Sequence, residues 1–396
     1  MVNAIPYYVD DDGRVWLDRL WHRDFVRHMT YLTRLTFAAP AYRRSEAGAV
    51  DLVPVDVPPG VELRFVAIPK QESKLGALKN LPRTMQVLWK AVAHSEIVHS
   101  GIAGWPFPVG WIANAAAMLQ RKSLVIVVES APWRLTGEAD NRWKRRIGAV
   151  VTEALGRWFV NHAAVSFFTQ PNYRETLLTH GAGPGYVTPA TWIDENDVLD
   201  LQGAERGWRA KRESGGNVRL LFAGRLTEEK GVGILLEAVE LLRARGLQVD
   251  IDIIGEGLLR SRCEQSAAAG GSARVRVLAP VPYGAAFFQL LGQYHGVIVP
   301  SLSDEQPRIV FDAYSQALPV LASDSSGLKP YVFPGRTGWL VARGDSQALA
   351  EGIAEAIAAP ATMERLGLLA LGYAVTVTHG RMHVDRWRLL VEHLGG

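Results

Sequence analysis

The sequence predicts an α/β protein of two Rossmann-like halves, each a doubly wound parallel sheet, facing one another across a cleft. Three observations predict it. Short apolar runs of strand length alternate with helical patterns along both halves of the chain. The alternation breaks once, between Trp192 and Gly216, where Asp194, Glu195, Asn196, Asp197, Glu213 and Ser214 gather. The chain has 396 residues, 48% of them hydrophobic, which is enough to bury two cores and too much for disorder.

The elements follow in order. A short strand fits Ile5 to Val9, Asp10-Asp11-Asp12-Gly13 reads as a turn, and a helix is expected next, with Trp21, Phe25, Met29 and Leu32 at helical spacing. Strands fit residues 34–39, 62–68, 97–99, 124–129 and 164–169, with helices over 81–95 and 143–162. Gly181-Ala182-Gly183-Pro184-Gly185 follows a helical pattern instead of a strand, so it reads as a helix terminator and not a nucleotide loop. The second half restarts with strands over 218–223, 249–254, 275–278, 296–300 and 319–322. Helices fit 231–246, 258–269, 285–294, 309–317 and 346–358. The domains expected are 1–195 and 217–375, joined by a linker over 196–216. A C-terminal helix over 376–396 has the option of packing back on the first domain.

Composition excludes several classes. A single cysteine, Cys263, rules out a disulfide framework or cysteine-based metal cluster and suits a small residue on a helix. No run of about 18 apolar residues occurs, and the best candidate, 101–119, is broken by Pro106 and Pro108. The start lacks a basic, then apolar leader, so a cytoplasmic protein is expected. The net charge of +3 is too small to imply nucleic acid.

The sharpest chemistry follows the first strand of the second half, Gly224-Arg225-Leu226-Thr227-Glu228-Glu229-Lys230-Gly231. Glycine lets backbone approach a ligand, and Arg225 and Lys230 suit a diphosphate held without metal. The competing reading is a solvated loop in which both cations pair with Glu228 and Glu229. A second loop, Pro300-Ser301-Leu302-Ser303-Asp304-Glu305-Gln306-Pro307, enters a helix whose first amides, around Arg308 and Ile309, suit an anion. Asp304 and Asp312 are placed to accept hydrogen bonds from ring hydroxyls. Alternatively, Asp304 only favours the helix start and Asp312 is a solvated helix residue.

Together Gly224-Arg225, Lys230-Gly231, Gly255-Glu256-Gly257, Pro300-Ser301, Asp304 and Asp312 resemble the family 4 retaining glycosyltransferases of GT-B fold. The likeness continues through Pro319 to Ser323 and Gly335 to Asp345. It implies a nucleoside diphosphate sugar donor, a UDP or GDP sugar, with no cofactor and no metal. Gly224, Arg225, Lys230, Gly255, Val281, Asp304, Arg308, Ile309 and Asp312 would form the donor site. Within it Arg225 and Lys230 would neutralise the diphosphate, Asp304 would contact the sugar, Asp312 the ribose, and residues 279–282 the base. The family carries glutamates where Asp304 and Asp312 stand, and glycines where Glu305-Gln306-Pro307-Arg308 stand.

His99 and Glu129, each at an expected strand end, sit where acceptor-side residues are expected, against a reading as simple caps; relatives often carry histidine at the position of Glu129. Trp105, Trp111 and Trp133 nearby suit either a sugar or lipid acceptor or the core. Arg142-Trp143-Lys144-Arg145-Arg146 opens a helical pattern with Ile147, Val150, Val151, Leu155, Trp158 and Phe159 on one face. The preferred reading buries that face; the other lays the helix on anionic lipid at the inner face of the plasma membrane.

The function implied is retaining transfer of a hexose-type sugar to a carbohydrate or lipid-linked acceptor, in glycolipid or cell-surface polysaccharide assembly. Three rivals stand beside it. A silent carbohydrate-binding or partner scaffold fits the shortened acids, and a sugar nucleotide epimerase shares the fold. A dinucleotide oxidoreductase lacks its Gly-x-Gly-x-x-Gly after any expected strand.

Overall fold

The computed structural model describes residues 1–70, 72–104, 107–134, 143–179 and 182–395; Trp105, Pro106, Arg142 and Gly181 lie outside the described residues, as does the Lys144 side chain. The chain divides into two compact units, Met1–Pro189 with Met382–Gly396, and Ala190–Arg381.

The first unit opens with β1 (Tyr7–Val9) and β2 (Val15–Asp18). The Asp10 side chain accepts from the Arg14 amide at 2.8 Å and turns the chain back on itself, so Val15-Trp16-Leu17 pairs antiparallel with β1. The helix expected directly after that turn therefore starts later, as α1 (Arg19–His28), where the Asp18 carboxylate caps the amides of Leu20 and Trp21. Phe25 and Met29 pack with Tyr7, Leu17 and Phe37.

Next come β3 (Arg34–Arg43), β4 (Leu52–Pro54) and β5 (Glu62–Ile68), completing a sheet in the order β4-β2-β1-β3-β5. The chain continues through α2 (Lys74–Ala93), β6 (Ile97–Gly101), α3 (Val109–Leu119), β7 (Ser123–Val128), α4 (Trp143–Asn161), β8 (Val165–Phe168), α5 (Pro171–Leu177) and β9 (Gly185–Val187). The strands β6-β7-β8-β9 form a second, all-parallel sheet. Val2 connects the two sheets: its amide donates to the His99 carbonyl at 2.8 Å, and it bridges to Ala38. The first half is thus mixed, not one doubly wound parallel sheet. The short strand β2 runs antiparallel to both of its neighbours, β1 and β4, and neither β2 nor β4 exceeds four residues.

The second unit is regular. After α6 (Leu201–Ser214) come β10 (Arg219–Ala223), α7 (Val232–Ala244), β11 (Val249–Ile254), α8 (Arg260–Ala269), β12 (Ala273–Leu278), α9 (Ala285–Leu291) and β13 (Gly296–Val299). It ends with α10 (Ile309–Ser315), β14 (Val320–Ser323), β15 (Gly338–Val341), α11 (Ser346–Ala358), α12 (Pro360–Ala374) and the start of α13 (His379–Leu394). All six strands are parallel, in the order β12-β11-β10-β13-β14-β15. Both of their faces are covered by helices, so Leu220, Ile251, Ile253, Val297 and Leu321 share one core with Leu235, Val239 and Ile353. Cys263 is buried on α8.

The stretch 196–216, read from its polarity as a linker, carries α6 instead. Asp200 caps it through the Gly203 amide, and one stripe is apolar: Ala204 and Trp208 are buried, the Trp208 indole donating to the Ala317 carbonyl at 3.0 Å. Only two of its fourteen residues, both apolar, are buried, which gives a weak period, yet they anchor the helix. Replacing Trp208 with Ala opens a cavity and orphans that carbonyl. We expect a loss of about 3 kcal/mol or more, read from urea denaturation midpoints of the two proteins.

Candidate functional site in the second unit

The strand order of the second unit reverses between β10 and β13. From β10 the chain winds to β11 and β12; from β13 it winds the other way to β14 and β15. Loops leaving neighbouring strands at such a point diverge, and the gap beyond their carboxyl ends is where open α/β sheets bind ligands. The two loops singled out by sequence, 224–231 after β10 and 300–308 after β13, are the pair that flank this switch point.

These loops are joined backbone to backbone. The Glu229 carbonyl accepts from the amides of Leu302 and Ser303, at 2.9 and 3.2 Å, and from the Ser301 hydroxyl at 3.4 Å. Gly231 sits at φ +75°, and a Cβ there would lie 1.8 Å from the Pro300 carbonyl oxygen, so only glycine fits both the conformation and the contact. On the other side the Gly224 amide donates to Ile254 and that of Leu226 to Glu256. Gly255, at φ +154°, would press a Cβ to 1.8 Å from the Gly224 oxygen. Gly224 and Gly255 therefore let the loops after β10 and β11 run in direct contact.

Arg225, Lys230 and Asp304 each face an opposite charge. Arg225 lies 2.7 Å from Glu229 with 63% of its side chain exposed, a pair that water screens to a fraction of a kcal/mol. The Lys230 ammonium, 18% exposed, is instead 3.1 Å from Glu305 and so reaches across to the second loop. Sequence reading gave both cations a partner within their own loop as the alternative to a phosphate site. That pairing holds for Arg225, while Lys230 chooses Glu305.

Asp304 receives Arg343 at 3.0 Å. Asp312 is not a solvated helix residue: it is 5% exposed and accepts from the Tyr283 hydroxyl at 2.8 Å. Tyr283 lies two residues beyond Val281, packs on Phe287 and Phe288, and so ties the connection after β12 to the start of α10. Val281 packs against the core.

Pro307 falls before the helix instead of in its first turn. Arg308 holds the cap position, and α10 begins at Ile309, with the Phe311 amide returning to the Arg308 carbonyl at 2.9 Å. The Arg308 guanidinium lies over the Trp192 ring, 4.8 Å from its centre. Gln306 clamps the Ala190 backbone through two bonds of 2.8 Å. Sequence reasoning missed Glu305, Arg343 and Tyr283 as partners. Arg343 was readable as a cation beside the family-like Gly344-Asp345; no periodicity marks the other two.

The two acceptor-side candidates belong to the first unit. β6 runs on to Gly101, so His99 sits inside the strand and not at its end, its ring centre 5.9 Å from that of His28. Desolvation, then the neighbouring His28, push its imidazole well below the ordinary range. Glu129 follows β7 and is exposed, and its carbonyl accepts from the Thr169 hydroxyl at 3.1 Å. Trp133 donates to Glu153 at 2.6 Å and Trp111 to the Ile102 carbonyl at 3.0 Å.

Among the described residues, Asp24, His28 and His383 of the first unit bring ligand atoms within 4.8 Å of one another. His383 bonds Asp24 at 3.1 Å and the Tyr31 hydroxyl at 3.0 Å, which is the pattern of a hydrogen-bonded clasp on α13.

Burial holds His28 and His99 below their ordinary value of 6.5, and His295 at about 4. A depressed folded-state value means that the unfolded chain takes up protons first. Stability is therefore complete above about pH 6.5 and declines as pH falls toward the folded values, by roughly 1.4 kcal/mol per pH unit for each proton. Urea midpoints should drop between pH 7.5 and 5, and the drop should be smaller in His99→Gln.

Residues 217–359, within the second unit, match the family described as Glycosyl transferases group 1. The D-inositol 3-phosphate glycosyltransferase of Pseudarthrobacter chlorophenolicus is 32% identical over 298 residues, 69% of this chain and 65% of that protein. The amylovoran biosynthesis glycosyltransferase AmsK of Erwinia amylovora is 30% identical over 139 residues, 34% of either chain. The match thus spans from about a third to just under two thirds of these relatives' length. Anabaena Alr3699/HepE, solved in complex with UDP, superposes with a TM-score of 0.66 at 15% identity, covering 99% of this chain and all of its own. The fold is GT-B.

Proposed function

We propose that this chain is a retaining glycosyltransferase that moves a hexose from a nucleoside diphosphate sugar to an acceptor hydroxyl of a growing glycoconjugate. The observation that carries the reading is the pair of loops at the β10/β13 switch point, which gathers Arg225, Lys230, Asp304 and Asp312 on one edge of one sheet. The group 1 match over 217–359 supports it independently.

The reaction needs a diphosphate to leave while the anomeric carbon becomes cation-like. Arg225 and Lys230 meet the charge that grows on the leaving phosphate. In the free protein Glu229 and Glu305 hold these cations in position, and the incoming diphosphate, carrying more charge and more acceptor oxygens, displaces both carboxylates. The exposed Arg225 pair costs little to break. Asp304 accepts from hydroxyls of the transferred sugar, Asp312 from the ribose, and Tyr283 keeps the Asp312 carboxylate oriented. Retention follows if the acceptor attacks on the face that the leaving group vacates, with its proton passing to a phosphate oxygen.

The same two ion pairs favour a second reading, a silent scaffold in which Glu229 and Glu305 close the anion site permanently. Calorimetry of the full chain against UDP, GDP, ADP and TDP and their common sugar conjugates separates the two. We expect one diphosphate to bind and Lys230→Ala to abolish it. We also expect Arg225→Ala and Lys230→Ala to lower kcat/KM on the order of 10²-fold or more with folding intact. Glu305→Gln, which frees Lys230, should tighten donor binding; a chain that binds no diphosphate even with this change is a scaffold.

A further inference from the structure

The helix α4 departs in part from its sequence reading. Of the face expected to be buried only Phe159 is, with Leu155 half-buried, whereas Ile147, Val150, Val151 and Trp158, joined by Trp143, are exposed, Val150 by 69%. Since successive residues step about 100° round a helix, these five lie within an arc of about 100°. The opposite side, Gly156, Phe159 and Val160, is the one packed on the sheet.

The helix α2 repeats the arrangement. Ala77, Thr84, Leu88 and Val92 face inward, while Leu75, Leu78, Met85 and Trp89 are exposed, Leu75 by 81%.

Both stripes look the same way. Leu88 and Val92 of α2, Ala113 and Ala117 of α3, and Phe159 and Val160 of α4 share a core with Leu124, Ile126 and Val128, one face of the β6–β9 sheet. The other face, with Val125, Val165 and Phe167, is covered by Leu389, Leu390 and Leu394 of α13. The helices α2, α3 and α4 therefore form one layer, with Leu119 at the end of α3 adding a further exposed apolar residue, 74% exposed.

Charge selects the occupant. Neither α2 nor α3 contains an Asp or Glu, and the one acid of α4, Glu153, is turned inward to Arg134 and Trp133. The cations lie beside the stripes, Lys79, Arg83 and Lys90 on α2, and Arg146 and Arg157 on α4, all exposed. We propose that this layer seats on the surface of an anionic bilayer. Apolar side chains and three tryptophans enter the interface while the flanking cations meet lipid headgroups. A second copy of the chain fits worse, because a two-fold contact would set these cations against their own images. The proposal does not depend on the donor-site reading, since it needs no turnover.

The test is co-sedimentation of the full chain with phosphatidylcholine vesicles, with and without phosphatidylglycerol. Binding is expected to the anionic vesicles only and to weaken with salt. Ile147→Ser with Val150→Ser, and separately Arg146→Glu with Arg157→Glu, should each lower the partition coefficient at least tenfold. Both pairs are exposed, so thermal melting should be unchanged. No binding of the parent chain, or binding indifferent to both double variants, overturns the proposal. So does a dimer in sedimentation velocity that Ile147→Ser with Val150→Ser dissociates, since that would assign the face to a second copy.

Discussion

The organisation of the candidate site rests on one carbonyl oxygen. That of Glu229 accepts from the Leu302 and Ser303 amides and the Ser301 hydroxyl, and it lashes the loop after β10 to the loop after β13. The strands on either side of the switch point send their helices in opposite directions, so without such a tie the two loops would have no reason to keep a fixed spacing. Gly231 allows the tie to be short, its missing side chain leaving room for the Pro300 carbonyl. Everything charged in the site is then arranged about a fixed frame. Lys230 reaches Glu305 because the loops are already joined, and Arg343 and Tyr283 complete the frame by holding Asp304 and Asp312.

The frame also accounts for the departures from the family pattern. With glutamate where relatives carry glycine, Lys230 has a resident counter-charge, and the loop gains side chains that must go somewhere. Gln306 spends its amide on the Ala190 backbone, and Arg308 lies over Trp192. These contacts fix the segment just before α6 against the loop itself. A more substituted loop is thereby more, not less, constrained.

Legibility in the sequence followed burial. Five of the six strands of the second unit, covered by helices, read as apolar runs and agree with the structure to within two residues, 249–254 without error; β15 was not read as a strand. The antiparallel β2 and β4 were invisible because three or four residues carry too short a period. Helix α6 hid behind its charges, since one tryptophan does most of its anchoring. Helix α4 showed its period plainly, but a period does not say which way a stripe faces: the same spacing serves a core and an open surface. Of the site, the loops and their cations were readable from composition and order. Their partners Glu305, Arg343 and Tyr283 come from different loops, and only the packed sheet brings them to Lys230, Asp304 and Asp312.

The helix α13 starts in one unit and finishes in the other, so the chain crosses between units at Pro189–Ala190 and again at Arg381–Met382. A ribosome releases the polypeptide in one direction. The second unit is therefore complete before the first, although it is made later. Until Leu389, Leu390 and Leu394 emerge, the face of β7 and β8 bearing Val125, Val165 and Phe167 has no cover. For the time taken to add about 200 residues, at roughly 5–20 per second, the nascent first unit carries an apolar sheet face in water. Its solubility over those tens of seconds is a property that selection on the finished fold does not see, and it is where a chaperone would find this chain.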